Sequence, residues 1–197
     1  MNINPIMEEL IDNTFQVLQK VYNNQSEGKG EFSSKCGSRI VFPQYREGGK
    51  TRVSEQELRF VFVEQFNQIA KDKDLYYSVE TPTKGTYSFS KKEKPCADEN
   101  GRSGEFDMTI FNQMGKRVCL IEFKAHNVKD TNFEKDFVKL ENIEKEECKD
   151  AYFVLLLEVC NKETIKSIHD KLSTIPLGKA HFKCFSFADN EFFGDVT

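Results

Sequence analysis

Between residues 4 and 22, Ile6, Leu10, Ile11, Phe15, Leu18 and Val21 recur at helical spacing, which predicts an amphipathic helix at the start of the chain. The pattern then breaks. From Asn23 to Arg52 the chain is polar and rich in Gly and Ser, through NNQSEGKGEFSSKCGS and YREGGKTR. It reads as a long loop, with one short strand at RIVF, residues 39–42. Helical spacing returns in SEQELRFVFVEQFNQIAKDK, where Ser54 suits the N-cap and Leu58, Phe62, Phe66 and Ile69 mark the buried stripe. Strand-like segments follow at 75–83 and 86–90, then a polar loop over 91–104. The strands EFDMTIF (105–111) and RVCLIEFKA (117–125) flank a tight turn at NQMGK. A helix is expected over 131–147, with Phe133, Phe137, Leu140 and Ile143 on one face. The continuous apolar run AYFVLLLEVC (151–160) predicts a strand buried on both faces. A helix at 163–173 and a strand at 180–188 complete the chain, with no internal repeat.

One stretch departs from its own pattern. CLIEFKAHN, Cys119 to Asn127, places Glu122 and Lys124 inside an otherwise apolar strand. Burying a charge costs several kcal/mol unless something compensates it. The hairpin supplies a geometric test. Centred between Met114 and Gly115, it sets Phe106 opposite Phe123, Met108 opposite Ile121 and Ile110 opposite Cys119, one uniformly apolar face. The same register sets Asp107 directly opposite Glu122, about 5 Å apart at Cβ, with Lys124 on that face. Adjacent carboxylates repel, and a divalent cation such as Mg²⁺ or Mn²⁺ relieves the conflict. The bland alternative is a solvated face, with Glu105 and Lys124 as an ordinary cross-strand ion pair. A buried neighbouring strand, AYFVLLLEVC, weighs against it.

Length and composition narrow the setting. A chain of 197 residues suits one domain with a core of its own. Eighteen Phe and no Trp concern packing rather than activity. A net charge of -4 argues against a protein coated in positive charge for indiscriminate nucleic-acid binding, but leaves room for a local basic groove. The six cysteines, at 36, 96, 119, 148, 160 and 184, form no CxxC pair, and no His stands at metal-ligand spacing. A thiol enzyme using His126, His169 or His181 is therefore disfavoured. With no secretory signal and no apolar run of membrane-spanning length, the expectation is a reduced, cytoplasmic protein without membrane contact.

The acid of GEFDMTIF followed by the E-x-K of CLIEFKAHN, between two helices and ahead of a buried strand, resembles the PD-(D/E)xK nuclease superfamily. Two other E-x-K matches, EGK at 27–29 and ECK at 147–149, lack that context. The position before Asp107 is Phe106 rather than Pro, where the family is lax. The resemblance covers residues 53–160 and implies an α/β restriction-endonuclease-like fold: a mixed β-sheet flanked by helices, core order α-β-β-β-α-β. Residues 1–52 add an N-terminal helix and polar loop to this single domain, and 161–197 a C-terminal helix and strand.

The resemblance also implies chemistry. Asp107 and Glu122 would hold one or two Mg²⁺ ions (Mn²⁺ substituting), with the Phe123 backbone carbonyl as a further ligand. Lys124 would orient the attacking water or offset charge on the phosphate, and phosphodiester hydrolysis would proceed without a covalent intermediate. The family often adds a helix glutamate, for which Glu55 and Glu57 both stand available. Glu55 lies on the buried stripe, whereas Glu57 forms an S-x-x-E capping box with Ser54. Glu64 lies too far along that helix to be preferred. Glu80 is either a further ligand or a strand-end charge, and His126 falls past the strand's end. Arg39, Arg46, Lys50, Arg52, Arg102 and Lys139 are candidate nucleic-acid contacts, supplying affinity rather than sequence reading. The implied substrate is nucleic acid, DNA before RNA. A homodimer or a larger assembly suits cutting of two strands, and genome defence or mobile-element biology is the setting the analogy suggests. The competing expectation is a nuclease-like module that binds nucleic acid or a protein without catalysis.

Overall fold

The computed structural model describes residues 2–26, 34–45, 51–89, 94–126, 130–158, 161–174, 180–187 and 191–193. Its strands are β1 (Leu75–Ser88), β2 (Cys96–Ala97), β3 (Arg102–Asn112), β4 (Arg117–Ala125), β5 (Asp150–Leu157), β6 (Ala180–Ser186) and β7 (Glu191–Phe193). They form one mixed sheet in the order β2-β1-β3-β4-β5-β6-β7. β1 pairs antiparallel with β3 and β3 with β4, whereas β4, β5 and β6 are parallel, so a crossover joins β4 to β5. That crossover contains helix α3 (Asp130–Glu141). Helix α4 (Lys162–Thr174) links β5 to β6, while α1 (Asn4–Ser26) and α2 (Glu55–Ile69) precede the sheet.

The apolar positions sort into two layers because strand side chains alternate. Cys119, Ile121 and Phe123 of β4, with Tyr152, Val154 and Leu156 of β5, pack beneath Leu10, Phe15, Leu58 and Phe62 of α1 and α2. Leu120, Phe153 and Leu155 face the opposite way, against Phe133, Phe137 and Leu140 of α3 and Ile168 of α4. Phe137 stacks on Phe153 at 4.7 Å, and Phe62 meets Phe123 edge-on at 5.0 Å. Each such ring contributes about 1.5–3 kcal/mol by leaving water. β5 is buried on both faces, as its unbroken apolar run requires.

Four expectations change. Residues 39–42 form no strand: the Phe42 amide donates to the Gln25 side chain at 2.9 Å, and its ring packs on Tyr22 and Phe187. The segments expected at 75–83 and 86–90 fall in one strand as far as Ser88, since both pair with β3 across an irregularity between Pro82 and Thr86. α3 ends at Glu141 rather than continuing to 147, and Ile143 is nevertheless buried. The turns beyond it carry Glu146 to the Lys84 and Gly85 amides, at 2.8 and 2.9 Å.

The fourth change concerns the hairpin. Met108↔Ile121, Thr109↔Leu120 and Ile110↔Cys119 pair as the alternation demands. Phe106 and Phe123, however, do not share a face: Phe106 packs on the α3 side and Phe123 on the α2 side. The β3–β4 ladder stops at Met108, so Asp107 and Glu122 are not ladder partners. On the other edge of β3, Val79↔Met108 and Thr81↔Phe106 bracket Asp107 and Glu80, and Glu80 has a left-handed backbone, φ 48°. Both strands therefore lose their pleat at the level of Asp107.

Candidate functional site

Where the ladder stops, the Asp107 side chain takes over one of its bonds. The Phe123 N–H donates to Asp107 Oδ2 at 2.7 Å, in place of a β3 carbonyl. This fixes one carboxylate oxygen of Asp107 beside β4. The other, Oδ1, accepts from Arg59 Nη2 of α2 at 2.8 Å. Lys124 stands next to them, its Nζ 3.9 Å from Asp107 Oδ2 and 3.6 Å from Glu55 Oε2. The same ammonium meets Asp136 of α3 at 2.9 Å and donates to the Phe123 carbonyl at 3.0 Å. Asp136 also holds Lys139 at 3.0 Å, and Lys139 is ion-paired with Glu122.

The result is a chain of alternating charge: Glu55 and Asp107 against Arg59 and Lys124, then Asp136, then Lys139 against Glu122. Four carboxylates face three cations, so the cluster keeps one formal negative charge in excess. It is not a solvated surface, because the side chains of Glu122, Lys124 and Asp107 are only 1%, 13% and 17% exposed. The ordinary Glu105–Lys124 pair does not form among the described ion pairs. Glu105 is exposed, and Lys124 turns to Asp136, Asp107 and Glu55 instead.

Burial and crowding shape the titration of the cluster. Desolvation pushes the Glu122 carboxyl well above its ordinary range, with Asp136 and Asp107 adding to the effect and Lys139 opposing it. Glu55 is also raised, first by burial, with Lys124 pulling it down. Burial alone would lower Lys124, but Asp136, Asp107, Glu55 and Glu122 outweigh it and hold the ammonium above the usual lysine range. Lys139 is raised in the same sense, by Glu122 and Asp136.

Of the two helix glutamates, Glu55 reaches the cluster. Glu57 is buried against Arg52 and Ser54, a side-chain version of the capping box in which Ser54 makes no cap bond to the helix backbone. Glu80 lies at the rim, 3.9 Å from Arg59 and 71% exposed. Glu64 is not among the cluster's described ion pairs, and His126 is held elsewhere, its Nε2 at 2.7 Å from the Val53 carbonyl. Among the nucleic-acid candidates, Arg39 is exposed, Arg102 lies over the Phe89 ring at 5.7 Å, and Arg52 is taken by Glu57. Lys139 is buried inside the cluster rather than displayed on the helix surface. Arg46 and Lys50 lie outside the described residues.

Two members were not anticipated from the sequence, Arg59 and Asp136. The available signals were spacing signals: Arg59 is one turn beyond Glu55, and Asp136 is one turn before Lys139. Neither spacing distinguishes a site residue from a solvated helix pair.

In donor type the cluster suits a hard divalent cation, with carboxylates of Glu55, Asp107, Glu122 and Asp136 and the Phe123 carbonyl close by. A ready-made cage of three acidic, His or Cys side chains is not found among the described residues. The physical reason is visible: Arg59, Lys124 and Lys139 stand between the carboxylates. Among the described residues no helix is long and apolar enough to cross a membrane. No family model, characterised protein or solved structure matches the chain.

Proposed function

We propose that this protein is a metal-dependent nuclease of the PD-(D/E)xK type, hydrolysing phosphodiester bonds in nucleic acid, DNA before RNA. One observation carries the reading: Asp107 and Lys124 meet a helix glutamate, Glu55, where the β3–β4 ladder ends, and Glu122 joins them through Lys139 and Asp136. The run of elements α2, β1, β3, β4, α3, β5 supports a restriction-endonuclease-like fold, with β2 as a short insertion. A module that only binds has no need of four crowded carboxylates.

Asp107, Glu122 and the Phe123 carbonyl would hold Mg²⁺ or Mn²⁺, with Glu55 supporting from the more exposed side. When bound, such an ion supplies Lewis acidity toward a phosphate oxygen and makes a water acidic enough to attack near neutral pH. The carboxylate neighbours of Lys124 outweigh burial and hold its ammonium above the usual lysine range. The ammonium can therefore offset charge growing on the phosphate. Asp136 and Glu55 hold that ammonium from two sides, which limits its motion.

The second reading, a nuclease-like module that only binds, has one observation in its favour: each carboxylate already has a cation partner. The deciding experiment incubates the purified chain with linear duplex, circular duplex, single-stranded DNA and RNA, in Mg²⁺, Mn²⁺ or EDTA. Metal-dependent cutting that is lost in Lys124→Ala and Asp107→Ala is expected. Cutting that persists undiminished in both variants overturns the mechanism, and metal-independent binding without cutting favours the module.

A further inference from the structure

Lys139 is spent entirely inside the cluster. Its ammonium is ion-paired with Glu122 Oε1, meets Asp136 Oδ1 at 3.0 Å and donates a hydrogen bond to the Glu105 carbonyl at 2.7 Å. The aromatic ring of Phe106 lies 5.7 Å away, and the side chain is 7% exposed. Glu122, at 1% exposure, has this one ammonium as its described ion-pair partner. Removing the partner of a buried ion pair is strongly destabilising, so Lys139 is the contact that lets this buried carboxylate exist in the folded chain.

On the nuclease reading above, on which this inference rests, Glu122 is also an oxygen donor to a divalent ion. An ammonium and a divalent cation repel when they share a carboxylate. We propose that Lys139 is a resident counter-ion of Glu122, which a divalent metal must displace in order to bind. Asp136 and Lys139 are three residues apart on α3, so withdrawal of Lys139 uncovers Asp136 Oδ1 together with Glu122 Oε1. One displacement frees two carboxylate oxygens. Metal affinity is then set by competition with the chain's own ammonium, and the apo protein folds without metal.

The test titrates the full chain with Mn²⁺ alone and follows free Mn²⁺ by electron paramagnetic resonance. Lys139→Met is expected to bind Mn²⁺ roughly tenfold tighter than wild type, or more, on the scale of changes next to a metal ligand. Equal or weaker binding by a folded Lys139→Met overturns the proposal. A second measurement on wild type avoids any folding failure of the variant: amine-reactive labelling read by peptide mass spectrometry. Lys139 should be protected in EDTA and labelled several-fold faster in saturating Mn²⁺. Mn²⁺ binding without a change in Lys139 labelling refutes the displacement while leaving the nuclease reading intact. Failure to bind Mn²⁺ refutes both.

Discussion

Asp107 Oδ2 accepts the Phe123 N–H at 2.7 Å and so stands in for backbone where the β3–β4 ladder ends. The residue thus has a structural duty and a chemical one, and two substitutions separate them. Asp107→Asn keeps an oxygen for the Phe123 N–H but removes the charge facing Arg59 and Lys124. It should lose about 1–3 kcal/mol through the weakened bond to Arg59 and cleave about 10²–10³-fold more slowly, the scale for losing one electrostatic stabiliser. Asp107→Ala also leaves the Phe123 N–H unpaired, a further loss of about 1–3 kcal/mol. Urea unfolding of the two variants checks this. Equal stability would mean that the bond to Phe123 is not what holds the strand end.

Asp136 touches both lysines, at 2.9 Å to Lys124 and 3.0 Å to Lys139, and its predicted role is to position Lys124. Asp136→Asn should lower kcat by roughly 10–100-fold, the range typical of residues that orient metal-site groups, with little change in KM. A pH profile distinguishes positioning from general damage. Among the anions holding the Lys124 ammonium high, Asp136 is the strongest. Its removal lowers the Lys124 pKa, so activity should be lost at lower pH on the alkaline side than in wild type. An alkaline limb that does not move would exclude this role.

The parts of this arrangement that were legible in the sequence are those fixed by repetition. Alternating apolar residues determine the Met108↔Ile121 register, and an unbroken apolar run identifies β5. Glu122 and Lys124 stood out because they violate that repetition. Arg59 and Asp136 violate nothing: each is one charge on the mixed face of a helix, and the partners they meet come from other elements. Simple alternation puts Phe106 in the wrong layer for a related reason. Its flip follows from a carboxylate substituting for a ladder acceptor, a local event with no periodic trace. The rule that buried charges need partners does point in the right direction, since it demands cations near Asp107 and Glu122 without saying which.

Glu146 provides a control remote from the chemistry. This fully buried carboxylate accepts the Lys84 and Gly85 amides at 2.8 and 2.9 Å and pairs with Arg117, tying the turn after α3 to the irregular part of β1. The Tyr87 hydroxyl lies at 3.5 Å, and burial followed by this carboxylate raises the phenol above its ordinary range. Glu146→Ala leaves the Lys84 and Gly85 amides without their acceptor and Arg117 without its carboxylate, with only the Pro82 carbonyl at 2.7 Å remaining, and should destabilise by about 3–5 kcal/mol. Cleavage per folded molecule should remain at the wild-type level. A Glu146→Ala/Arg117→Met pair should lose less than the sum of the single variants, because removing both ends of a buried ion pair leaves no stranded charge. Strict additivity would show that the pair is not coupled.

Glu55 and Glu57 are two residues apart on α2, yet their environments demand opposite phenotypes. Glu55 lies 3.6 Å from Lys124 and 3.5 Å from Arg59, with its side chain 32% exposed. Glu57 is 4% exposed and bound by Arg52 and Ser54, outside the cluster. Glu55→Gln should therefore unfold at nearly the wild-type urea concentration, while its cleavage rate and Mn²⁺ affinity fall by about 10–100-fold. Glu57→Gln should do the reverse, losing about 1–3 kcal/mol because a buried charged hydrogen bond is weakened. Its Mn²⁺ affinity should be unchanged once measured on folded protein. If the phenotypes are exchanged, the helix glutamate that serves the site is Glu57, and α2 is rotated in solution relative to its pairing with Lys124.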